Sequence, residues 1–205
     1  MKSKIYLIGY SGHSYVVLDS CAKINIELYG YFEKQKLYTN PYNLDYLGQE
    51  EDYSFDHNDA LLIGIGNNHI RYTIFSKLMH KNCRFKTIID PDSSISTQAT
   101  IRDGSFVGPK AIVNSRAVIH EGVIINSGSI VEHECSIGAF SHIAPGAVLC
   151  GNVKIGTGTL IGAGAIIKEG IHIGNNVTVG AGSVVLKDID DSEVWVGNPA
   201  KKLIK

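Results

Sequence analysis

Aliphatic residues recur at every sixth position through the C-terminal half of the chain. From Ile95 to Val185 all sixteen such positions hold Ile, Val or Leu, and the position four further on, from Ala99 to Ile189, is small or apolar throughout. A period of six fits neither the 3.6 residues of a helical turn nor the alternation of a flat strand. It fits short strands joined by tight corners, with three hexads forming one coil of a triangular prism.

The repeat therefore predicts a parallel β-helix of about five and a third coils, roughly 25 Å tall at about 4.8 Å per stacked strand. Each aliphatic side chain then points into the prism, and the small residue makes room beside it. We expect glycines to relieve the corners, where positive φ is often needed, at Gly138, Gly156, Gly162, Gly174 and Gly180.

The residues before the repeat alternate between strand and helix patterns. Apolar runs predict strands at residues 4–9, 27–32, 60–66 and 85–90, and helices at 14–23 and after residue 66. This alternation is typical of a small parallel, Rossmann-like α/β layer. Pro91 and the two serines after Asp92 mark the junction. We accordingly predict an α/β domain over residues 1–90 and a β-helix domain with a C-terminal tail over residues 91–205.

Composition narrows the possible partners. Among 205 residues the formal net charge is −1, so there is no excess of Lys and Arg that would favour nucleic acid. No apolar run approaches the roughly 20 residues of a membrane span. The four cysteines form no CxxC pair, which favours reduced thiols. We therefore expect a cytoplasmic protein that binds neither nucleic acid nor membrane.

Two polar loops follow strands of the predicted α/β layer. GYSGH, residues 9–13, and GIGNNHIR, residues 64–71, each stand between a strand and a helix, where backbone amides can hold a phosphate. The GxGxxG spacing is absent, which favours a mononucleotide or nucleotide-sugar over NAD. Glu33 closes the second strand, where an acidic side chain commonly meets ribose hydroxyls. The alternative is that both loops are only tight turns.

The hexad containing His133 departs from the small-residue pattern. Glu134 follows at once, and a carboxylate beside an imidazole raises its pKa and makes it a stronger base. Gly151 is eighteen residues, one coil, further along, and its unobstructed N–H is well placed for an oxyanion. These residues suggest a general base with an oxyanion donor. The alternative is an ordinary exposed histidine on the rim of a solenoid.

The remaining histidines and Cys135 suggest less chemistry. His142 falls on a different edge of the prism from His133, so the two could approach only between chains of a trimer. No two histidines are five apart, as in the zinc-binding hexapeptide-repeat carbonic anhydrases, and we predict no metal. Cys135 falls on an inward position and is expected in the core. Surface positions are predicted for His69, His80, His120 and His172.

Five segments together resemble a known family: GYSGH, IGNNHIR, VEHECSIGAFSH (131–142), GNVKIG (151–156) and VWVGNPAKKL (194–203). They are similar to bacterial hexapeptide-repeat sugar acyltransferases, in particular to the UDP-4-amino-sugar N-acetyltransferases of the bacillosamine pathway. The resemblance implies a left-handed β-helix, a homotrimer with active sites between subunits, acetyl-CoA as co-substrate and a role in bacterial surface glycan or glycoprotein biosynthesis.

The resemblance also assigns residues by position. It implies that His133 is the general base, that Glu134 raises its basicity and that Gly151 contributes to the oxyanion site. His142 would contact the acetyl-CoA thioester region, with the backbone around Ala163 and Ala181 lining the CoA groove. The nucleotide-sugar would be held by Ser11, Gly12, His13, Glu33 and Lys34, with Asn67 and Arg71 as further candidates.

The implied reaction is direct transfer, in which the acceptor amine attacks the thioester without a covalent enzyme intermediate. The Glu33-Lys34 pair departs from the aspartate pair more common in the family, which leaves the nucleotide open. Two alternatives remain at this point: O-acetylation of a sialic acid, as in the related sialic acid O-acetyltransferases, and a non-catalytic trimer that binds a nucleotide-sugar.

Overall fold

The computed structural model describes residues 4–81 and 84–204. Cys83, one of the cysteines expected to be reduced, lies outside these residues. Cys21, Cys135 and Cys150 are free thiols. Cys135 is 1% exposed, which confirms its expected place in the core, and burial raises the pKa of its thiol to about 11.

The N-terminal domain is a four-stranded parallel sheet of order β2-β1-β3-β4 with two helices. Residues 33–59 connect β2 to β3 without an α-helix, through one 3-10 turn at Glu50–Asp52. The elements are β1 (Ile5–Ile8), α1 (Gly12–Lys23), β2 (Gly30–Phe32), β3 (Ala60–Ile63), α2 (Asn68–Leu78) and β4 (Arg84–Phe85).

The remainder of the chain coils into a parallel β-helix with three faces, which confirms the predicted fold class. Almost every strand has two residues. Face I contains β5 (Ile88–Ile89), β8 (Phe106–Val107), β11 (Ile124–Ile125), β14 (His142–Ile143), β17 (Leu160–Ile161), β20 (Thr178–Val179), β22 (Val194–Val196) and the antiparallel β23 (Lys201–Lys202).

Face II follows face I along the chain, and face III follows face II. Face II contains β6 (Ser94–Ile95), β9 (Ile112–Val113), β12 (Ile130–Val131), β15 (Val148–Leu149), β18 (Ile166–Ile167) and β21 (Val184–Val185). Face III contains β7 (Thr100–Ile101), β10 (Val118–Ile119), β13 (Ser136–Ile137), β16 (Lys154–Ile155) and β19 (His172–Ile173). We name the corners by the faces they join: I–II, II–III and III–I.

The inward residue of each hexad builds the core of the prism. From Val107 to Val185 the second residue of each strand on these faces is buried, and it is joined there by Ala, Ser, Thr, Val, Ile or Cys from the position four further on. Ile95 and Ile101, at the open end, are only partly buried. The β-helix has about six coils, because β5 and β22 extend face I beyond both ends of the hexad pattern.

The glycines predicted to have positive φ have another role. Gly138, Gly156 and Gly162 do not adopt positive φ, which occurs two residues later in these hexads, as at Gly158 and Gly164. A Cβ on Gly138 would lie 2.5 Å from the backbone of Gly156 one coil away, and one on Gly162 would lie 2.5 Å from the Ala181 nitrogen. Close stacking of coils, rather than backbone conformation, therefore requires glycine at these positions.

The predicted strand at 85–90 is divided between the two domains. Arg84–Phe85 pairs with β3 of the α/β sheet, whereas Ile88–Ile89 pairs with β8 of face I. The chain changes sheets between these strands, so one apolar run serves both layers. The domain boundary between residues 90 and 91 stays a prediction.

The N-terminal domain packs on face I. Outward-pointing Phe106 and Ile124 of that face join the apolar cluster under α1. Asp90, at the first corner, accepts hydrogen bonds from Ser20 Oγ at 2.6 Å and Lys23 Nζ at 3.1 Å. Burial raises the pKa of Asp90, but these bonds and one from the Asp92 N–H outweigh it and leave the pKa below its usual value. An apolar contact and a buried carboxylate thus fix α1 to the prism.

Candidate active site

The carboxyl edge of the α/β sheet brings several predicted substrate residues together. Ser11 and Gly12 are exposed at the start of α1, and the Ser11 side chain makes no capping bond. The Glu33 carboxylate closes β2 and accepts hydrogen bonds from the Tyr10 N–H at 3.3 Å and the Lys34 N–H at 2.9 Å. Because β1 lies between β2 and β3, this edge forms the crevice that α/β sheets use for ligands.

His13 points away from that edge toward the prism. Its ring lies 5.4 Å from Phe106 and 6.2 Å from His142, centroid to centroid, and its Nε2 is buried without a hydrogen-bond partner among the described residues. Burial, with smaller contributions from His142 and Arg71, lowers the pKa of His13 to about 4. A neutral imidazole with one unused nitrogen therefore lies where the two domains meet.

The second polar loop caps α2. Asn67 is exposed, and its side-chain oxygen accepts from the Ile70 N–H at 3.0 Å, which leaves the amide NH2 group free to contact a ligand. Arg71, also predicted to contact the nucleotide-sugar, is only 1% exposed, and its guanidinium donates to atoms of both domains. With its donors used internally, Arg71 is not available to a ligand, and that prediction is wrong.

His142 begins β14 and faces the α2 loop. Its Nε2 lies 3.0 Å from Asn126 Nδ2, and the Ser127 N–H donates to Asn126 Oδ1 at 2.8 Å, so the amide group donates to the imidazole. Burial, together with Arg71, lowers the pKa of His142 to about 4, although a hydrogen bond to the Gly66 backbone opposes this shift. His142 is thus a neutral ring held by Asn126 and the Gly66 backbone.

A cleft of about 690 Å³ opens between the α2 loop and face I. His142 lies on its wall, as do Asn67 and the exposed His69. Sequence reasoning missed most of the other lining residues, because nothing in the repeat distinguishes outward residues under α2 from those in solvent. They are Gly66, Asn68, Tyr72, Thr157, Gly158, Leu160, Asn176 and Thr178.

The predicted base lies on corner II–III. The side chain of His133 is 60% exposed, and its Nδ1 lies 3.3 Å from Glu134 Oε2. The other oxygen of that carboxylate pairs with Arg116 Nη1 at 3.3 Å. With Nδ1 turned to the carboxylate, Nε2 is free to accept a proton. A groove of about 400 Å³ along face III begins beside Glu134.

Gly151 lies one coil from His133, directly against the imidazole. A Cβ there would lie 2.5 Å from His133 Cε1 and 2.6 Å from Nε2. The Asn152 N–H donates to the His133 carbonyl at 2.8 Å, which fixes the stacking of the two corners. Gly151 therefore leaves room for the imidazole one coil away, and its role as an oxyanion donor stays a prediction.

Ala163 and Ala181 lie on corner I–II. Both are exposed, and the Gly182 N–H donates to the Ala163 carbonyl at 2.8 Å, so the two alanines stack on adjacent coils. Small side chains leave the carbonyl and amide groups of this ridge accessible to an extended ligand. The position is consistent with the predicted track for a pantetheine arm.

Within one chain these groups remain apart. Corner II–III, with His133, lies opposite face I in a triangular prism, and face I carries the N-terminal domain and His142. The predicted separation of the two histidines on different edges is thereby confirmed. A single chain presents the predicted base on one side and the predicted substrate residues on the other.

No group of three His, Cys, Asp or Glu side chains in residues 4–81 and 84–204 is placed to hold a metal ion. None of the helices in that part of the chain has the length and apolarity to cross a membrane.

Comparison with known proteins identifies the family. The PglD N-terminal domain model matches residues 4–78, and the bacterial transferase hexapeptide model (six repeats) matches residues 116–151 and 152–187. No curated protein sequence matches the chain.

Solved structures match over nearly the whole length. The acetyltransferase domain of PglB from Neisseria gonorrhoeae FA1090, in complex with acetyl coenzyme A, is 34% identical, with 98% of each chain covered and a TM-score of 0.92. A mutant of perosamine N-acetyltransferase from Caulobacter crescentus, in complex with CoA and GDP-perosamine, is 26% identical over 100% of this chain and 99% of that one, with a TM-score of 0.93. WeeI from Acinetobacter baumannii AYE is 27% identical, with 98% of this chain and 100% of that chain covered and a TM-score of 0.89. This chain belongs to the family of bacterial hexapeptide-repeat sugar N-acetyltransferases that carry a PglD-type N-terminal domain.

Proposed function

We propose that the protein transfers the acetyl group of acetyl-CoA to the 4-amino group of a UDP-linked amino-dideoxy sugar, for a bacterial surface glycan or glycoprotein. The observation that carries the proposal is the imidazole of His133, which lies against Gly151 with Nδ1 3.3 Å from Glu134. An accessible base beside an open backbone amide is the arrangement that aminolysis of a thioester requires.

Each of these groups has one task in the proposed reaction. His133 Nε2 accepts the proton that the acceptor amine loses as its nitrogen bonds to the acetyl carbonyl carbon. The Gly151 N–H stabilises the oxyanion, the C–S bond then breaks, and the imidazolium returns the proton to the CoA thiolate. Glu134 holds the imidazole with its proton on Nδ1 and stabilises the imidazolium. The net products are the N-acetyl sugar and CoA.

Acetyl-CoA fits the exposed ridge of corner I–II. Ala163 and Ala181 stack there on adjacent coils. The Neisseria and Caulobacter structures are in complex with acetyl coenzyme A and CoA, respectively. His142, next to this corner on face I, would contact the acyl end as a neutral ring rather than as a proton donor.

We further propose a homotrimer built around face II. The outward residues of this face are apolar from Ile112 to Val184, with Ile166 42% exposed, whereas face III presents Thr100, Ser136 and Lys154 outward. If three copies turn face II toward a common axis, corner II–III of each copy meets corner I–II of the next. His133 of one copy would then approach the Ala163 ridge and the substrate crevice of its neighbour, which completes a site that one chain leaves divided.

The nucleotide-sugar would occupy the edge formed by Ser11, Gly12 and Glu33, with Lys34 and Asn67 beside it. This edge holds a carboxylate for ribose hydroxyls and free amides at the start of α1 for phosphate. The perosamine N-acetyltransferase structure contains GDP-perosamine, so the experiment has to compare UDP-linked with GDP-linked sugars.

A substrate panel tests the proposal. Purified protein would be assayed for CoA release with UDP- and GDP-linked 4-amino-4,6-dideoxy sugars, and with free and CMP-linked sialic acids. We expect turnover with a nucleotide-linked amino sugar, fastest with UDP. Preference for a sialic acid would replace the N-acetylation by O-acetylation, and binding of a nucleotide-sugar without turnover would favour the non-catalytic trimer.

A further inference from the structure

Arg71 is a buried cation at the contact between the domains. Its guanidinium donates from Nε to the Gly122 carbonyl at 2.7 Å, from Nη1 to the Ile65 and Gly66 carbonyls at 3.0 Å each, and from Nη2 to Asn68 Oδ1 at 2.9 Å and the Phe140 carbonyl at 2.8 Å. Two acceptors, Gly66 and Asn68, belong to the loop that lines the cleft.

The acceptors on the β-helix lie on corner III–I. Asn68 adds to this connection, because its Nδ2 donates to the Gly158 carbonyl at 3.0 Å on the same corner. The first turn of α2, at Asn68 and Arg71, is therefore bonded to three successive coils, at Gly122, Phe140 and Gly158. A planar, five-donor guanidinium is the side chain suited to so many fixed acceptors.

Phe140 is the one bulky residue in its column of corner residues. The equivalent positions hold Gly104, Gly122, Gly158 and Asn176, all at positive φ, and Phe140 adopts φ 58 although it has a bulky side chain. Bulky residues rarely adopt this conformation unless the surroundings compensate. Here the ring packs edge-on against Tyr72 and Phe75 of α2, with centroids 5.2 and 5.1 Å apart.

We propose that Arg71 and Phe140 form an interdomain clasp that positions the loop at residues 64–68 for the nucleotide-sugar without touching it. Arg71 fixes the carbonyls and the Asn68 side chain of the loop, and Phe140 fixes the helix that follows. Asn67, between the clasped residues, is thereby held with its amide toward the cleft. The inference rests on the proposed function for the identity of the ligand, but the positioning itself does not.

The buried charge of Arg71 also affects the pKa of the two histidines near the cleft. The Arg71 charge is among the causes that lower the pKa of both His13 and His142. The groups that face these rings are Arg71 from α2, Asn126 from corner I–II, the Gly66 carbonyl and each other. A substitution that keeps the charge of Arg71 but removes its planar, five-donor guanidinium therefore separates the positioning role from the effect of the charge.

Arg71→Lys keeps the charge and removes the guanidinium, and Phe140→Gly restores the glycine of the neighbouring coils while removing the aromatic contacts. Lys23→Met is the matched control, because Lys23 also joins the domains, through Asp90, but lies away from the cleft. We expect the KM for the amino-sugar substrate to rise about tenfold in the first two variants, as for a lost hydrogen bond. The KM for acetyl-CoA should change much less, and kcat little.

Hydrogen exchange gives a readout that needs no activity. Amide exchange in residues 64–68 should become faster in Arg71→Lys and Phe140→Gly and remain unchanged in Lys23→Met. The inference is overturned if exchange in the loop is unaltered, or if Lys23→Met reproduces both effects at an equal loss of Tm. Inactivity of the unmodified protein would instead contradict the proposed function, while the exchange experiment still decides about the clasp.

Discussion

Two histidine sites on opposite sides of the prism differ in exposure and in hydrogen-bond partners. His133 on corner II–III is exposed, with its Nδ1 near Glu134, whereas His142 is half-buried near Arg71 with its Nε2 hydrogen-bonded to Asn126. A base must be accessible to the proton it accepts. A half-buried ring whose pKa is lowered to about 4 instead shapes a cleft. Sequence places both residues in one motif, and only their environments separate their roles.

Replacing the accessible histidine is expected to have the largest effect. His133→Ala should lower kcat/KM by about a thousandfold, because it removes the proton acceptor. Thermal unfolding and CoA binding, measured by calorimetry, should be unchanged. His172→Ala, which removes an exposed histidine from face III, is the control and should be fully active. Near-normal turnover of His133→Ala would remove the basis of the proposed mechanism.

Separating the chains should break the proposed connection between the two sides of the prism. Ile166→Glu places a charge on the apolar face II and should convert the trimer to monomers, observed by light scattering. Activity should fall about a hundredfold, since each base loses the crevice of its neighbour. Thr100→Glu, on face III, should leave assembly and activity intact. An active monomer would contradict a site shared between chains.

The difference between the regions also explains what could be predicted from the sequence. The core of the prism follows from a period of six, because each hexad repeats the same local contacts, and the stacking of Gly151 under His133 follows from the coil length of eighteen. The role of Gly138 could not be predicted in this way, since glycine serves both close stacking and positive φ in these hexads and the sequence does not separate them.

The buried position of the Arg71 side chain depends on contacts with residues 51 to 70 positions away, which no local sequence pattern encodes. Its place in IGNNHIR after a strand favours a ligand contact, yet docking of α2 on corner III–I buries it. The same docking creates the cleft and selects Tyr72 and Leu160 as lining residues. Within each domain the pattern was therefore informative, and at the contact between domains it was not.

A methyl group added at Gly151, next to His133, tests whether the reaction needs glycine at this position. Gly151→Ala introduces a Cβ that would lie 2.5 Å from the His133 ring, so the imidazole has to move. We expect kcat/KM to fall by about tenfold to a hundredfold, as for a base displaced by about 1 Å. Ser115 occupies the equivalent corner position, so a side chain there is compatible with the coil.

The double variant His133→Ala/Gly151→Ala separates the clash of the new methyl group with the imidazole from a defect in folding. Any loss in Tm that Gly151→Ala causes should disappear when the imidazole is absent, because the methyl group then meets no ring. A persistent loss in the double variant would place the strain in the coil itself.

The half-buried pair His13 and His142 predicts the smallest effect, a dependence of stability on pH. The unfolded chain binds protons on these rings below about pH 6.5, whereas the folded protein does not until about pH 4. The folded state therefore loses stability as the pH falls through this window, by up to about 1.4 kcal/mol per pH unit for each histidine. Urea unfolding between about pH 7 and pH 5 measures the slope. His13→Asn should reduce this slope by the contribution of one histidine, whereas the exposed control His57→Asn should leave it unchanged. An equal slope in all three proteins would mean that the His13 ring accepts its proton in the folded state as it does in the unfolded chain.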